Sequence, residues 1–273
     1  MATMIPPSDR PIRVGLIGCG AIGQYLVGRF MDSRDIGIIR CWDVQGPARE
    51  RISGQYPSVA HQLAEPNAWS DDKLTHLVEA AHPHAVPEAL AFCAAHGWRA
   101  IIASVGGLVT EAGQAALQKA LQAGVVVQIP SGAIGGLDIL KAIPKEALKS
   151  VTLRTRKPPK SLPPEEAVGL TGPTLLYEGW AREAIARFPK NVNVAATLSL
   201  AGLGIDATRV EIWGDPGLER NTHEIHIDTE LGTYLIQCAN LPMPGNPGTS
   251  FLAALSIAAT LQGTVDGGFR VGS

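Results

Sequence analysis

The chain has 273 residues, 45% of them hydrophobic and 18% charged, enough to bury a full core and to divide into one large or two modest domains. Its 23 Lys and Arg against 25 Asp and Glu leave a formal charge of −2 with no long basic stripe, which excludes the electrostatic footprint of a nucleic-acid binder. No stretch approaches the ~20 uninterrupted apolar residues that span a bilayer, and Cys19, Cys41, Cys93 and Cys238 are far apart with no CxxC pair, so a disulfide scaffold or zinc site is excluded and a reducing, cytoplasmic setting is expected.

The opening segment MATMIPPSDRPIR has no sustained apolar run. Leu16-Ile17-Gly18-Cys19 imitates a lipoprotein cleavage site but follows too few apolar residues to be one, and it reads as a strand running into a turn. IRVGLI at residues 12 to 17 is that strand, and AIGQYLVGRFM after it has helical spacing. IGIIRCWD, LTHLVEA, WRAIIAS and VVVQIP continue as strands, with helices predicted at HAVPEALAFCAAHG and TEAGQAALQKALQAG. Apolar strands separated by amphipathic helices imply a parallel sheet covered on both faces.

The pattern changes after Pro130. SGAIGGLDILKAI reads as a loop entering a helix, and SVTLRTRK as a strand whose alternating basic residues suit an exposed sheet face. KPPKSLPPEEAVGLTGP, with five prolines, is expected to be an ordered loop or flap. Helices are predicted at roughly residues 177 to 188 and at NVNVAATLSLAG, strands at TRVEIWGD, THEIHIDTE and GTYLIQCA, and a last, apolar helix at TSFLAALSIAATLQG. The resulting fold class is α/β: an N-terminal Rossmann dinucleotide-binding domain over residues 1–133, and an α+β domain over 134–248 carrying a mixed or antiparallel sheet. The C-terminal helix, within 249–273, is expected to pack back on the first domain.

Gly18-Cys19-Gly20-Ala21-Ile22-Gly23 is a GxGxxG between a predicted strand and a predicted helix. The first glycine permits the tight turn, the second admits the pyrophosphate, and the third lets helix and strand pack closely, with helix N-terminal amides facing the phosphates. Asp43, ending the next strand, is placed to bind the adenosine ribose hydroxyls, which favours NAD; Arg49 and Arg51 could meet a 2′-phosphate, so NADP stays open. A lone GxGxxG is often only a turn, but strand, helix, Asp43 and repeated βα units in register make this one a cofactor site. Ser-Val-Gly-Gly at 104 to 107 follows a parallel strand on the carboxyl edge, where ligands gather, so Ser104 is a further cofactor candidate, although its glycines could equally shape a turn.

Ser131-Gly132-Ala133-Ile134-Gly135-Gly136-Leu137-Asp138, Asn191-Val192-Asn193-Val194-Ala195-Ala196-Thr197, Asn221-Thr222-His223-Glu224-Ile225, and Asn246-Pro247 with Thr249-Ser250 occur in that order. In these motifs, with GLIGCGAIG and SVGGL, the chain resembles the L-aspartate dehydrogenase family over nearly its whole length. It departs at Gly248, where a basic residue would be expected. The resemblance implies that Ala133 and Asn193 touch the nicotinamide cofactor and that His223 is the active-site residue. It also implies a homodimer, a small-molecule substrate (L-aspartate or oxaloacetate with ammonia), and a part in supplying iminoaspartate for pyridine nucleotide biosynthesis.

The chemistry agrees with that residue type. Hydride leaves the α-carbon of an amino acid only when its nitrogen is neutral, so a base working near pH 7 is needed, and histidine has the appropriate unperturbed pKa. His223 could serve the amine or the water that hydrolyses iminosuccinate. One histidine among seven is more often structural, and it is the surrounding Asn-x-His-Glu that singles out His223. Strand alternation puts Glu224 and His226 on the opposite face. His82 and His84 read as helix-start surface residues rather than metal ligands, and no metal is required. Ser131, Thr249 and Ser250, with helix amides near Thr249, could donate to the two substrate carboxylates, or the last two could cap the helix.

Other enzymes of this two-domain form are disfavoured. No cysteine has the Ser-Cys-Thr-Thr context of a phosphorylating aldehyde dehydrogenase, Ser-Val-Gly-Gly stands where a sugar oxidoreductase carries Glu-Lys-Pro, and the His-His motif of dihydrodipicolinate reductase is absent. A non-catalytic NAD(H) sensor would keep the glycine loop but would have no reason to keep His223.

Overall fold

In the computed structural model, residues 10–57, 63–69, 73–188 and 192–265 are described. The chain forms two compact units, one of residues 1–130 with 254–269 and the other of 131–253 with 270–273; the sequence reading drew its limits at 133 and 248.

The first unit is a five-stranded parallel sheet. Its strands are β1 (Ile12–Ile17), β2 (Ile36–Trp42), β3 (His76–Glu79), β4 (Arg99–Ile102) and β5 (Val127–Gln128), in spatial order β2-β1-β3-β4-β5. Helices α1 (Ala21–Phe30), α2 (Gly46–Gln55), α3 (Val86–His96) and α4 (Glu111–Gln122) connect them. The sequence reading did not mark α2, whose apolar positions are few: only Ala48 and Ile52 are buried. β3 reads His-Leu-Val-Glu and is buried at every position, as a strand covered on both faces must be. The strand order reverses at β1 and β3, and such a reversal opens a ligand crevice at the carboxyl ends of the strands.

The second unit begins with α5 (Leu137–Ala142) and β6 (Leu148–Lys157), then α6 (Pro164–Ala167) inside the proline-rich segment and β7 (Thr174–Trp180). It continues with α7 (Ala181–Arg187), α8 (Val192–Ala201), β8 (Thr208–Gly214), β9 (Thr222–Thr229), β10 (Thr233–Ala239), and the short pair β11 (Pro242–Met243) and β12 (Asn246–Ser250). The main sheet is mixed, in order β10-β9-β6-β8-β7, with β6 and β8 parallel and the other pairs antiparallel. One face carries Val151, Leu153, Val210, Ile212, Ile225 and Ile227, which pack with Leu140, Ala184, Ala195 and Leu198 of the helices. The other carries Arg154 and Arg156, paired with Glu211, Asp215 and Glu224.

Two sequence-based elements change. Residues 177–180, predicted as the start of a helix, belong to β7: Tyr177 and Trp180 pair with Ile212 and Arg209 of β8, and Gly179, a poor helix former, is accommodated in the ladder. The final helix α9 runs Phe251–Gln262, so Thr249 and Ser250 lie in β12 and not in the helix. Ile257, Ala258 and Leu261 of α9 join Val14, Leu26 and Ile101 in the core of the first unit. Asn191 and residues 266–273 of the expected C-terminal segment fall outside the described residues.

Candidate active site

In the first unit, four polar features converge at the carboxyl edge of the sheet. Gly18, just after β1, has φ +113, and a Cβ there would lie 2.5 Å from the Ala80 carbonyl oxygen. A Cβ on Gly23 would lie 2.0 Å from the Gly18 carbonyl oxygen. Both positions therefore require glycine for the protein's own packing. A Cβ on Gly20 meets nothing within 4 Å, so that face of the loop is open. Gly20 is also the N-cap of α1 and gives it no side-chain cap, so the helix amides near Ala21, Ile22 and Gly23 remain suited to an anion. The Asp43 carboxylate accepts from the Cys19 N–H at 2.9 Å and the Gln45 N–H at 2.8 Å, which ties the end of β2 to the glycine loop. Arg49 donates to the Asp43 carbonyl and lies over the Trp42 ring at 4.3 Å. An open glycine turn, uncapped helix amides and an oriented carboxylate fit a dinucleotide.

Ser104 is engaged with a buried acid of the neighbouring strand. Its hydroxyl donates to Glu79 at 2.9 Å and its N–H to the same carboxylate at 3.0 Å, while the Ala81 and His82 N–H groups donate to Glu79 Oε1 at 2.8 and 3.0 Å. Glu79 has no exposed surface; burial pushes its pKa up and these four donors pull it back. Gly107 is needed for packing, since a Cβ there would be 2.4 Å from the Pro83 carbonyl oxygen. The turn-shaping reading of SVGG thus has a direct structural cause. Glu79 itself was not marked in the sequence; the only local signal is an acid directly after the apolar pair Leu77-Val78.

The second unit holds the His223 cluster. His223 lies on the helix-covered face of β9, opposite Thr155 of β6 and Cys238 of β10. Its Nδ1 is 3.0 Å from the Thr155 hydroxyl oxygen. Burial, and next the Lys157 charge, lower its pKa to about 4, so the ring is neutral near pH 7. Glu224 and His226 are on the other face, as alternation requires, and Glu224 is engaged by Arg154 and Arg156. Asn221 opens the same motif: its carbonyl accepts from the Asn240 N–H, and the Asn240 side chain donates to the Ala133 carbonyl at 2.8 Å. This link ties the SGAIG loop, including buried Ala133, to the strand ends near His223. Gly136 lets the loop close, with φ +76 and Ile236 against it. The Ser131 carbonyl accepts from the Ile134 N–H, and Asn193 is exposed on the first turn of α8. Thr249 and Ser250 are half-buried in β12; the Ser250 hydroxyl is buried with no hydrogen-bond partner, so it does not cap α9. Thr155, Lys157 and Asn240 were missed by motif reading, because they reach the cluster only through sheet register.

Elsewhere, His82 caps a short 3-10 turn by accepting from the His84 N–H, and both side chains are exposed. Among the described residues no group of three His, Cys, Asp or Glu could hold a metal, and no helix is long and apolar enough to cross a membrane. Cys19 and Cys93 are free thiols pushed by burial to about 12, and Cys41 is raised as well.

Residues 138–264 match the family described as aspartate dehydrogenase, C-terminal, and residues 18–130 match the NAD binding domain of homoserine dehydrogenase. An L-aspartate dehydrogenase of Methanosarcina barkeri is 36% identical, with 92% of this chain and 96% of the relative covered. An L-aspartate dehydrogenase 2 of Bordetella pertussis is 42% identical over 71% of this chain and 74% of its own. The crystal structure of aspartate dehydrogenase from Thermotoga maritima superposes with a TM-score of 0.77 at 30% identity, covering 96% of this chain and 99% of that one.

Proposed function

Because this chain belongs to the L-aspartate dehydrogenase family, we propose that it oxidatively deaminates L-aspartate with NAD or NADP to iminosuccinate, which hydrolyses to oxaloacetate and ammonia, and that it runs the reverse reductive amination. The observation that carries this reading is His223, a buried imidazole held neutral and fixed through Nδ1 by Thr155. With Nδ1 so occupied, proton exchange with a substrate goes through Nε2. That nitrogen takes a proton from the substrate ammonium, freeing the lone pair that becomes the second C–N bond of the imine as the α-hydrogen departs with its electron pair. Once that proton has passed to solvent, the same nitrogen, neutral again, suits activation of the water that adds to the imine and expels ammonia. When bound, the nicotinamide cofactor supplies the hydride acceptor.

The glycine loop from Gly18 to Gly23 and Asp43 hold the adenosine and pyrophosphate part of the cofactor, and Ala133 and Asn193 contact its nicotinamide part. Ser104 contributes to the cofactor site from the end of β4, where its hydroxyl and N–H hold the Glu79 carboxylate at the end of β3. Ser131, Thr249 and Ser250 donate to substrate carboxylates; the unpartnered Ser250 hydroxyl favours this over a capping role. The same reading makes the protein a cytoplasmic homodimer. Leu235 at 66% and Trp180 at 41% exposure, on the charge-lined sheet face, are suited to a self-complementary interface. Native mass measurement should give twice the 28.7 kDa chain mass, and a monomer at micromolar concentration would remove this part of the reading.

The activity is tested by mixing purified protein with oxaloacetate, ammonium and NADH or NADPH. Cofactor oxidation that needs both co-substrates and yields L-aspartate is expected. His223→Ala should lose about 10²- to 10⁴-fold in turnover while retaining NADH binding. Wild-type protein that binds NADH but forms no L-aspartate sinks the proposal.

A further inference from the structure

Asp43 follows β2 and the glycine loop follows β1, the two places assigned to the adenosine and the pyrophosphate. In the sheet order β2-β1-β3-β4-β5 the next strand ends are those of β3 and β4. Ligands of such sheets lie across the carboxyl ends of the strands, so the half of the cofactor beyond the pyrophosphate falls to the ends of β3 and β4. Glu79 closes β3, in register with Ile17 of β1 and Ile102 of β4. Ser104 follows β4, and both residues belong to the same unit as the glycine loop.

Glu79 is fully buried, and the Ser104 hydroxyl with the N–H groups of Ala81, His82 and Ser104 converges on its carboxylate. These donors are neutral groups. They disperse a negative charge without cancelling it, and they oppose the upward push that burial gives the pKa. A neighbouring turn is closed with no charge at all: the Thr110 hydroxyl accepts from the Gly113 N–H at 3.1 Å and donates to the Gly107 carbonyl at 2.8 Å. Burying a carboxylate is costly, so closing a turn does not by itself account for an acid at this position. A cation brought to the ends of β3 and β4 would offset that cost. The nicotinamide ring is the part of the cofactor that can be one, and it is cationic only in the oxidised form.

We propose that Glu79 sets the redox preference of the cofactor site: its buried carboxylate, held between the ends of β3 and β4, favours the oxidised cofactor over the reduced one by attraction to the cationic nicotinamide ring. This assignment rests on the dinucleotide-binding reading of the first unit and deepens it. Glu79 is not a catalytic residue, because its hydrogen bonds go to the protein and it reaches the ring only through its field. Favouring the oxidised form on the enzyme also favours the direction of reaction that ends with it, the reductive amination that yields L-aspartate.

Dissociation constants of NAD+, NADH and an uncharged isostere of NAD+, in which benzamide replaces nicotinamide, are measured by calorimetry on the wild type and on Glu79→Gln. NAD+ and the isostere share a shape and differ in ring charge, so the wild type is expected to hold NAD+ about tenfold more tightly, the scale of one partly screened charge pair. Glu79→Gln is expected to bring these two within about twofold of each other and to lower the NAD+ to NADH affinity ratio about tenfold. Damage to the glycine loop would weaken all three ligands alike and cancels in the ratios. Glu79→Asp retains the charge, and its ratios are expected within about threefold of wild type even where each affinity falls. Equal wild-type affinity for NAD+ and the isostere overturns the proposal without any variant having to fold, and so does a folded Glu79→Gln with wild-type ratios. L-Aspartate formation by a protein with no such preference would overturn the proposal and leave the dehydrogenase reading standing. The preference in a protein that forms no L-aspartate would retain the proposal and remove that reading.

Discussion

The Glu79 carboxylate accepts four hydrogen bonds, one from the Ser104 hydroxyl and three from backbone N–H groups of two separate loops. A glutamine there must turn an NH2 group toward those N–H donors, leaving at least one buried donor unpaired. Glu79→Gln should therefore cost about 2–3 kcal/mol of stability, read as a lower midpoint in urea; an unchanged midpoint would mean that the carboxyl is protonated and that Gln mimics it. His223 presents the opposite case. With its pKa lowered to about 4 and its free-chain value at 6.5, it stays neutral and competent as a base down to roughly pH 5. The enzyme-borne acid limb of kcat/KM should fall near pH 4, and removal of the Lys157 charge should move it upward; a limb at 6.5 in the wild type would contradict the buried geometry. His223 was legible in the sequence because a motif surrounds it. Glu79 and Lys157 were not, since a single acid or lysine in a strand carries no local mark of what will enclose it.

At the scale of elements, the glycine loop separates ligand-directed from packing-directed positions. Gly20 has φ −70 and open space where a Cβ would stand, so Gly20→Val should fold with an almost unchanged melting temperature yet bind NADH at least about tenfold more weakly. Gly23→Ala drives a Cβ into the Gly18 carbonyl and should lose about 1–3 kcal/mol of stability. Equal loss of stability in both would show that the loop serves packing alone. The strand-turn-helix order around this loop was legible because hydrophobic period and glycine placement act over a few residues. Tyr177, Ala181, Ala184 and Ile185 stand at i, i+4, i+7 and i+8, the spacing of a helix over 177–188; pairing with β8 decided for a strand over 177–180. A ladder partner some 30 residues away leaves no trace in a local period. The shift of the last helix from Thr249 to Phe251 has the same origin, since Pro242 pairs with Ser250 and draws that segment into a hairpin.

For the molecule as a whole, acid stability follows from two histidines, one in each unit. Burial is the main cause that lowers His76 and His223 to about 4, with the charges of Arg99 and Lys157 adding to it. The unfolded chain, with histidines near 6.5, binds more protons than the folded one between about pH 4 and 6.5. Stability is therefore full above 6.5 and is lost as pH falls through that window, by up to about 3 kcal/mol per histidine. The melting temperature should drop steadily from pH 7 to 4.5, with a shallower slope in His76→Leu; a flat profile would show that the rings are solvated. The sequence by itself determined the parallel βα order of the first half, the glycine turn with its carboxylate, a second sheet that was mixed or antiparallel, and the histidine on a strand facing away from Glu224 and His226; the parallel β6–β8 pair that makes that sheet mixed came from the tertiary structure. The features read from sequence depend on periodicity, turn chemistry and short motifs, which act between neighbours along the chain. Only the tertiary structure decided that Ser104 serves Glu79, that Thr155 fixes His223 from 68 residues away, and that Lys157 lies buried on the same face. Desolvation and hydrogen-bond partnership are set by what surrounds a side chain in space, and sheet register brings those surroundings from distant parts of the chain.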